Sequence, residues 1–249
     1  MPTQKEIDDF AVLASQAYRA VYDVFERTAS AEGVALKPLG RECFEVSKPP
    51  ARTTVQVLGS LLVEQLPRKH VANGRTVPPQ NRISVLLSSR DIYGFNDSEP
   101  SSNRSYLHES FVNIGYYRVT TKKWVTLLSL RYDFGSRGAT QGHPIFHAQL
   151  SNGQPGESIS RLPTVPEITT LPSDEVYADV RMPTANMIGA SALLKLAADH
   201  LTHDSFTTVL QKTQALPFFR NWRCNCSTLD NQDSVRGLLA MGWYGCKTS

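Results

Sequence analysis

The sequence predicts an α+β fold: one domain with a mainly antiparallel central sheet, flanked by helices from both ends of the chain. Two observations carry this expectation. Period-two alternation rich in β-branched and aromatic residues concentrates between residues 82 and 182. Apolar residues at three- and four-residue spacing concentrate in residues 1–67 and 183–249. Runs of strands and runs of helices, rather than strict alternation of the two, are the mark of this class. A chain of 249 residues can bury a substantial core, and no composition shift marks a boundary within it.

The clearest helix runs from Lys5 to Ala31. Ile7, Phe10, Ala11, Ala14, Ala17, Tyr18, Val21 and Phe25 form one apolar stripe, and Gly33 is placed to end it. Residues 34–50 read as irregular. A second helix is predicted over Arg52–Leu66, because Val55, Leu58, Leu62 and Leu66 share a helical face and Pro67 stops it. Arg68 to Arg82 is basic and turn-rich. Its Lys69, Arg75 and Arg82 are candidate binding residues, since such side chains neutralise phosphates without reading sequence; a solvated loop is the plainer reading.

The sheet is expected to begin at Ile83–Leu87, followed by a polar loop over Asp91–Ser105. Phe111–Val119 is a strand, and Thr120–Lys123 a hairpin turn leading into Trp124–Phe134. Alternation from Trp124 puts Trp124, Thr126, Leu128, Leu130, Tyr132 and Phe134 on a core face. Val125, Leu127, Ser129, Arg131 and Asp133 take the other. A further strand, His143–Asn152, carries Phe146, Ala148 and Leu150 on one face and His147 and Gln149 on the other. Four prolines break up residues 151–173, and Tyr177–Arg181 reads as a last strand. Helices follow from about residue 187 to His200, over Phe206–Ala215 and over Asp230–Met241.

If the strands holding Arg131 and His147 pair, Ser129, Arg131 and Asp133 lie beside His147 and Gln149. Arg131, Asp133 and His147 are then the candidate catalytic residues, and Ser129 and Gln149 candidate binding residues. His147 would serve as acid or base near neutrality, and Arg131 would stabilise phosphate charge. A solvated cross-strand charge cluster explains the same residues without chemistry. His143 and His147 would be roughly 13 Å apart in a regular strand, too far to share a metal. Asp199 and His203 form a second candidate pair if one helix carries both.

The composition excludes several classes. A net charge of +3 gives no bulk argument for nucleic-acid binding. No apolar leader opens the sequence and no run approaches a membrane span, so a cytoplasmic protein without membrane contact is expected. Cys224, Cys226 and Cys246 do not follow zinc spacing, and reduced structural thiols are expected; no metal and no cofactor is assigned. Phosphate loops, GxSxG and HExxH are missing.

The run RYDF…HPIFHAQLSN…RMPTA, from Arg131 to Ala185, resembles bacterial domain-of-unknown-function proteins. In these, a strand ending in Arg-Tyr-Asp precedes a His-Pro-x-x-His strand, and an Arg-x-Pro segment leads into a helix. Such families sit in toxin–antitoxin or phage-defence loci, so the resemblance implies a defence-related role. Where such relatives show His-x-His, this chain has His147-Ala148-Gln149, which argues against histidine-pair chemistry. Two functions remain. One is a non-catalytic subunit or sensor of a defence-type system that binds a protein, RNA or DNA partner through the polar face. The other is a metal-independent, RNA-cleaving, toxin-like effector.

Overall fold

The computed structural model describes residues 1–49, 53–66, 83–97, 104–119, 123–135, 146–150, 167–169, 181–183 and 187–220. Helix α1 spans Gln4–Ala31 and buries Ile7, Ala14, Ala17, Tyr18, Val21, Phe25 and Ala29, the stripe its spacing predicts. Its first turn is closed by a capping box: the Glu6 amide donates to Thr3 Oγ1 at 3.2 Å, and the Thr3 amide donates to Glu6 Oε2 at 2.7 Å. Its end is a Schellman motif. The amides of Gly33 and Val34 donate back to the carbonyls of Ser30 and Ala29, with Gly33 at φ 76°.

Two short strands follow, β1 (Ala35–Pro38) and β2 (Phe44–Ser47), and both pair antiparallel with β3 (Val55–Leu66). The predicted helix over Arg52–Leu66 is therefore overturned, and residues 1–67 are not wholly helical. The reason is burial on both faces. Val55, Val57, Leu61, Val63 and Leu66 enter the main core, while Leu62 enters a second cluster on the opposite face. A strand that is apolar on both sides satisfies a helical spacing by accident.

Next come β4 (Ile83–Phe95), β5 (Ser105–Val119) and β6 (Lys123–Gly135), each antiparallel to the one before. β7 (Phe146–Leu150) pairs with β6, and β9 (Arg181–Pro183) with β7. Strand β8 (Glu167–Thr169) runs parallel to the start of β6. The result is an α+β fold on one nine-stranded sheet ordered β1-β3-β4-β5-β6-β7-β9, with β2 also on β3 and β8 on β6. It differs from the expected sheet in three ways. It is mixed, because of β8; it starts at residue 35; and Asp91–Phe95 belongs to β4 instead of a loop. The segment 177–180 lies outside the described residues.

Helices α2 (Gly189–His200), α3 (His203–Gln214) and α4 (Pro217–Arg220) follow. Leu193, Leu196 and Ala197 of α2, Val209 of α3 and Phe218 of α4 join α1 and β3–β5 in one core. The predicted helix over 230–241 lies outside the described residues.

Strand β6 contains an irregularity that changes its faces. Tyr116 pairs with Leu128 and Tyr117 with Thr126, so Leu127 is an extra residue. Trp124 joins Tyr117, Leu62 and Leu86 in the second cluster, whereas Leu130, Tyr132 and Phe134 pack on the main core. The single face expected from Trp124 to Phe134 is thus divided between two clusters. Leu128, expected in the core, is 37% exposed.

Candidate functional site

Beyond the irregularity, Ser129, Arg131 and Asp133 point away from the main core, onto the sheet face of the second cluster. Across β5 they stand in register with Gly115, Asn113 and Phe111. Across β7, Arg131 stands opposite Gln149 and Asp133 opposite His147. The structure therefore sets the backbones of Arg131 and Asp133 beside those of Gln149 and His147, while Ser129 precedes the described β6–β7 pairing, which starts at Leu130. The His147 side chain lies outside the described residues.

Arg131 and Asp133, two apart on one strand face, form an ion pair. The Arg131 Nε lies 2.8 Å from Asp133 Oδ2 and 3.0 Å from Oδ1. The guanidinium carbon lies 5.0 Å from the Phe111 ring centre, a cation–π contact that orients the arginine over the sheet. Its side chain is 43% exposed and that of Asp133 18%. The arginine is thus held through its Nε and its guanidinium plane while its side chain remains partly exposed. Below the pair, the buried Ser129 hydroxyl donates to Asn113 Oδ1 at 3.3 Å. Ser129 is thus buried beneath the face, tied to β5.

Sequence reasoning missed two members of this face. Phe111 is the platform under Arg131, and Arg90 on β4 is exposed and stands in register with Phe111. Arg90 was hidden because the strand was expected to end before a loop at Asp91. Glu109, two residues from Phe111 on the same face of β5, sets a second carboxylate beside the two arginines.

A different polar cluster occupies the opposite face. Asp91, fully buried on β4, accepts from the Tyr18 hydroxyl at 2.7 Å and from the Gly189 amide at 2.9 Å, both at Oδ2. Ser110 Oγ lies 2.8 Å from its Oδ1, and the Tyr18 and Tyr93 hydroxyls are 2.7 Å apart. Burial pushes the Asp91 carboxyl up to about 6, although the bonds from Gly189, Tyr18 and Ser110 pull it down. Burial likewise holds the Tyr18 phenol well above its ordinary range. With no solvent access, Asp91 cannot reach a substrate, and its role is to join α2, α1 and the sheet.

The remaining candidates divide simply. Lys69, Arg75, Arg82, His143, Cys224, Cys226 and Cys246 lie outside the described residues. Asp199 pairs with Lys195 within α2, while His203 begins α3 after a break at Leu201–Thr202, so the expected Asp199–His203 helical pair does not form. Cys43 is buried, which raises its thiol pKa and makes it a poor nucleophile. Among the described residues no three His, Cys, Asp or Glu side chains gather as a metal site, and no helix is long and apolar enough to cross a membrane. No protein-family model, curated protein or solved structure matches this chain, so its chemistry rests on its own geometry.

Proposed function

We propose that this chain is a non-catalytic binding subunit or sensor that engages a protein partner through the sheet face of Arg90, Phe111, Arg131, Asp133 and Gln149. One observation carries the reading: Arg131 is half-exposed, stacked on Phe111 and already paired with Asp133. An arginine held against an aromatic ring is the kind of anchor that dominates protein interfaces. A cation meant to track a phosphate backbone acts by neutralising phosphate charge, and here a carboxylate has taken much of that charge. The defence-type setting of the partner rests on the resemblance of the 131–185 run.

A photo-crosslinking amino acid in place of Arg90, with a control at the exposed Val12 of α1, tests the reading in cells that make the chain. A discrete protein adduct from position 90, absent from position 12 and lost on Arg131→Ala, is the expected result. A nuclease-sensitive adduct, or none, would overturn it.

The second reading has one observation in its favour, the register of Asp133 opposite His147. A carboxylate beside an imidazole can fix its tautomer for acid–base work. Metal-free cleavage of RNA by the purified chain, abolished by His147→Ala, would establish that reading instead.

A further inference from the structure

We propose that Asp91 is a proton-operated latch on the N-terminus of α2, complete when its carboxyl is protonated and one proton short when it is ionised. The proposal is independent of the partner-binding face and rests on a count of hydrogens. Among the described residues five contacts link these groups: Tyr93 to Tyr18, Tyr18 to Asp91, Gly189 to Asp91, Ser110 to Asp91, and Ser110 Oγ to the Met187 carbonyl at 2.6 Å. Each hydroxyl or amide brings one proton. With Asp91 ionised, Tyr93, Tyr18, Gly189 and Ser110 supply four protons for these five contacts.

The shortfall falls on Ser110. Its single proton cannot serve both Asp91 Oδ1 and the Met187 carbonyl, so one of these two close oxygen pairs is left without a hydrogen. A proton on Asp91 Oδ1 removes the conflict. Asp91 then donates to Ser110, Ser110 donates to Met187, and all five contacts are filled. Oδ2 meanwhile goes on accepting from Tyr18 and Gly189.

The position of the carboxyl is what gives the proton mechanical consequence. Ile188, the N-cap of α2, has no side chain that can hold the first turn, and Asp91 does this from the sheet by taking the Gly189 amide. Helix and sheet meet here without room to spare. A Cβ on Gly189 would lie 2.8 Å from Phe44 Cε1 and closer still to Ser89 Oγ, and one on Gly59 of β3 meets the same two side chains. The groups facing Asp91 are Tyr18 from α1, Tyr93 from β4, Ser110 from β5 and the Met187–Gly189 turn of α2. Among the described residues none of these is charged, so no counter-ion stands there, and the bonds from Gly189, Tyr18 and Ser110 only partly offset the burial of an ionised carboxyl. Ser110 and Phe111 are neighbours on β5, which places the latch behind the Arg131 face across one thickness of sheet.

The sign of the pH dependence follows. Burial raises the folded carboxyl to about 6, above its unfolded value of about 4. The latch is fully closed below about pH 4, weakens as pH rises to about 6, and is constant above that. One proton is linked, so opening becomes at most about tenfold easier per pH unit, about 25-fold easier between about pH 4 and about pH 6, and about a hundredfold easier between the two plateaus.

Amide hydrogen exchange at Gly189 and Ala190, corrected for intrinsic rates, tests this in the full chain and in Asp91→Asn. The asparagine keeps one acceptor oxygen and adds N–H donors, so it stands in for the protonated acid. The expected result is an opening constant that rises about 25-fold from about pH 4 to about pH 6 in the native chain and stays flat in Asp91→Asn. Flat behaviour in the native chain, or the same rise in the variant, would overturn the proposal. Should the variant not fold, the carbon resonance of the Asp91 carboxyl in the native chain decides: a midpoint near 6 supports the latch, and one at or below about 4 refutes it.

Discussion

Tyr18→Phe removes one buried oxygen and leaves the ring where it is. That ring packs on Phe44, Phe218 and Phe219 at centroid distances of 5.0, 6.0 and 5.6 Å, and a phenylalanine keeps those contacts. Two hydrogen bonds of 2.7 Å are lost, one to Asp91 and one shared with Tyr93. A bond to a carboxylate contributes about 1.5–3 kcal/mol and a neutral one about 0.5–1.5, so the variant is destabilised by about 2–4 kcal/mol at neutral pH. The lost bond to Asp91 is also one that holds its carboxyl down. Without it the folded pKa climbs further above the unfolded value, and the deficit continues to grow at pH values where the native chain has levelled off. The penalty is therefore smaller in acid than at neutrality. Urea unfolding at about pH 4 and about pH 7 measures both quantities, with an unchanged slope showing that only stability has moved. A penalty below about 0.5 kcal/mol, or one equal at the two pH values, refutes the network as drawn.

Other variants probe the rest of the molecule. Gly189→Ala forces a methyl group against Phe44 and Ser89 and is expected to lower stability by about 1–3 kcal/mol in thermal melts. Ser89→Ala at the same contact is expected to be neutral or stabilising, because the buried Ser89 hydroxyl has no hydrogen-bond partner among the described residues. Leu128→Ala, at a position 37% exposed, is expected to lose less than about 1 kcal/mol, whereas the fully buried Ile114→Ala loses about 2–5 kcal/mol in the same assay.

How far the sequence spoke depended on how local each signal was. Helix α1 announced itself through one apolar stripe and its terminal glycine, both contained in about thirty residues. That Arg131 and Asp133 share a face with His147 and Gln149 if their strands pair was legible from alternation, whereas the register of Arg131 with Gln149 and of Asp133 with His147 came from the structure. Strand β3 was not legible, because its Val and Leu residues fill both faces, and Val55, Leu58, Leu62 and Leu66 fit either period. The extra residue at Leu127 was equally hidden, since a register shift is fixed by the neighbouring strand, and it moved Trp124 and Leu128 away from their expected places. Asp91 was the least visible. Its partners Tyr18, Ser110 and Gly189 lie 73, 19 and 98 residues away, and an aspartate before a glycine- and serine-rich stretch reads naturally as the start of a loop.

For the binding face, the decisive pairing is of melting with crosslinking in Arg131→Ala. The side chain is half-exposed and its bonds to Asp133 and Phe111 are surface contacts, so its loss is expected to cost no more than about 1 kcal/mol. The thermal transition should stay nearly unchanged while the protein adduct formed from position 90 disappears. An adduct that survives Arg131→Ala in a chain that still melts normally would place the partner elsewhere. A variant that melts as early as Ile114→Ala would show that the arginine holds the fold and not a partner.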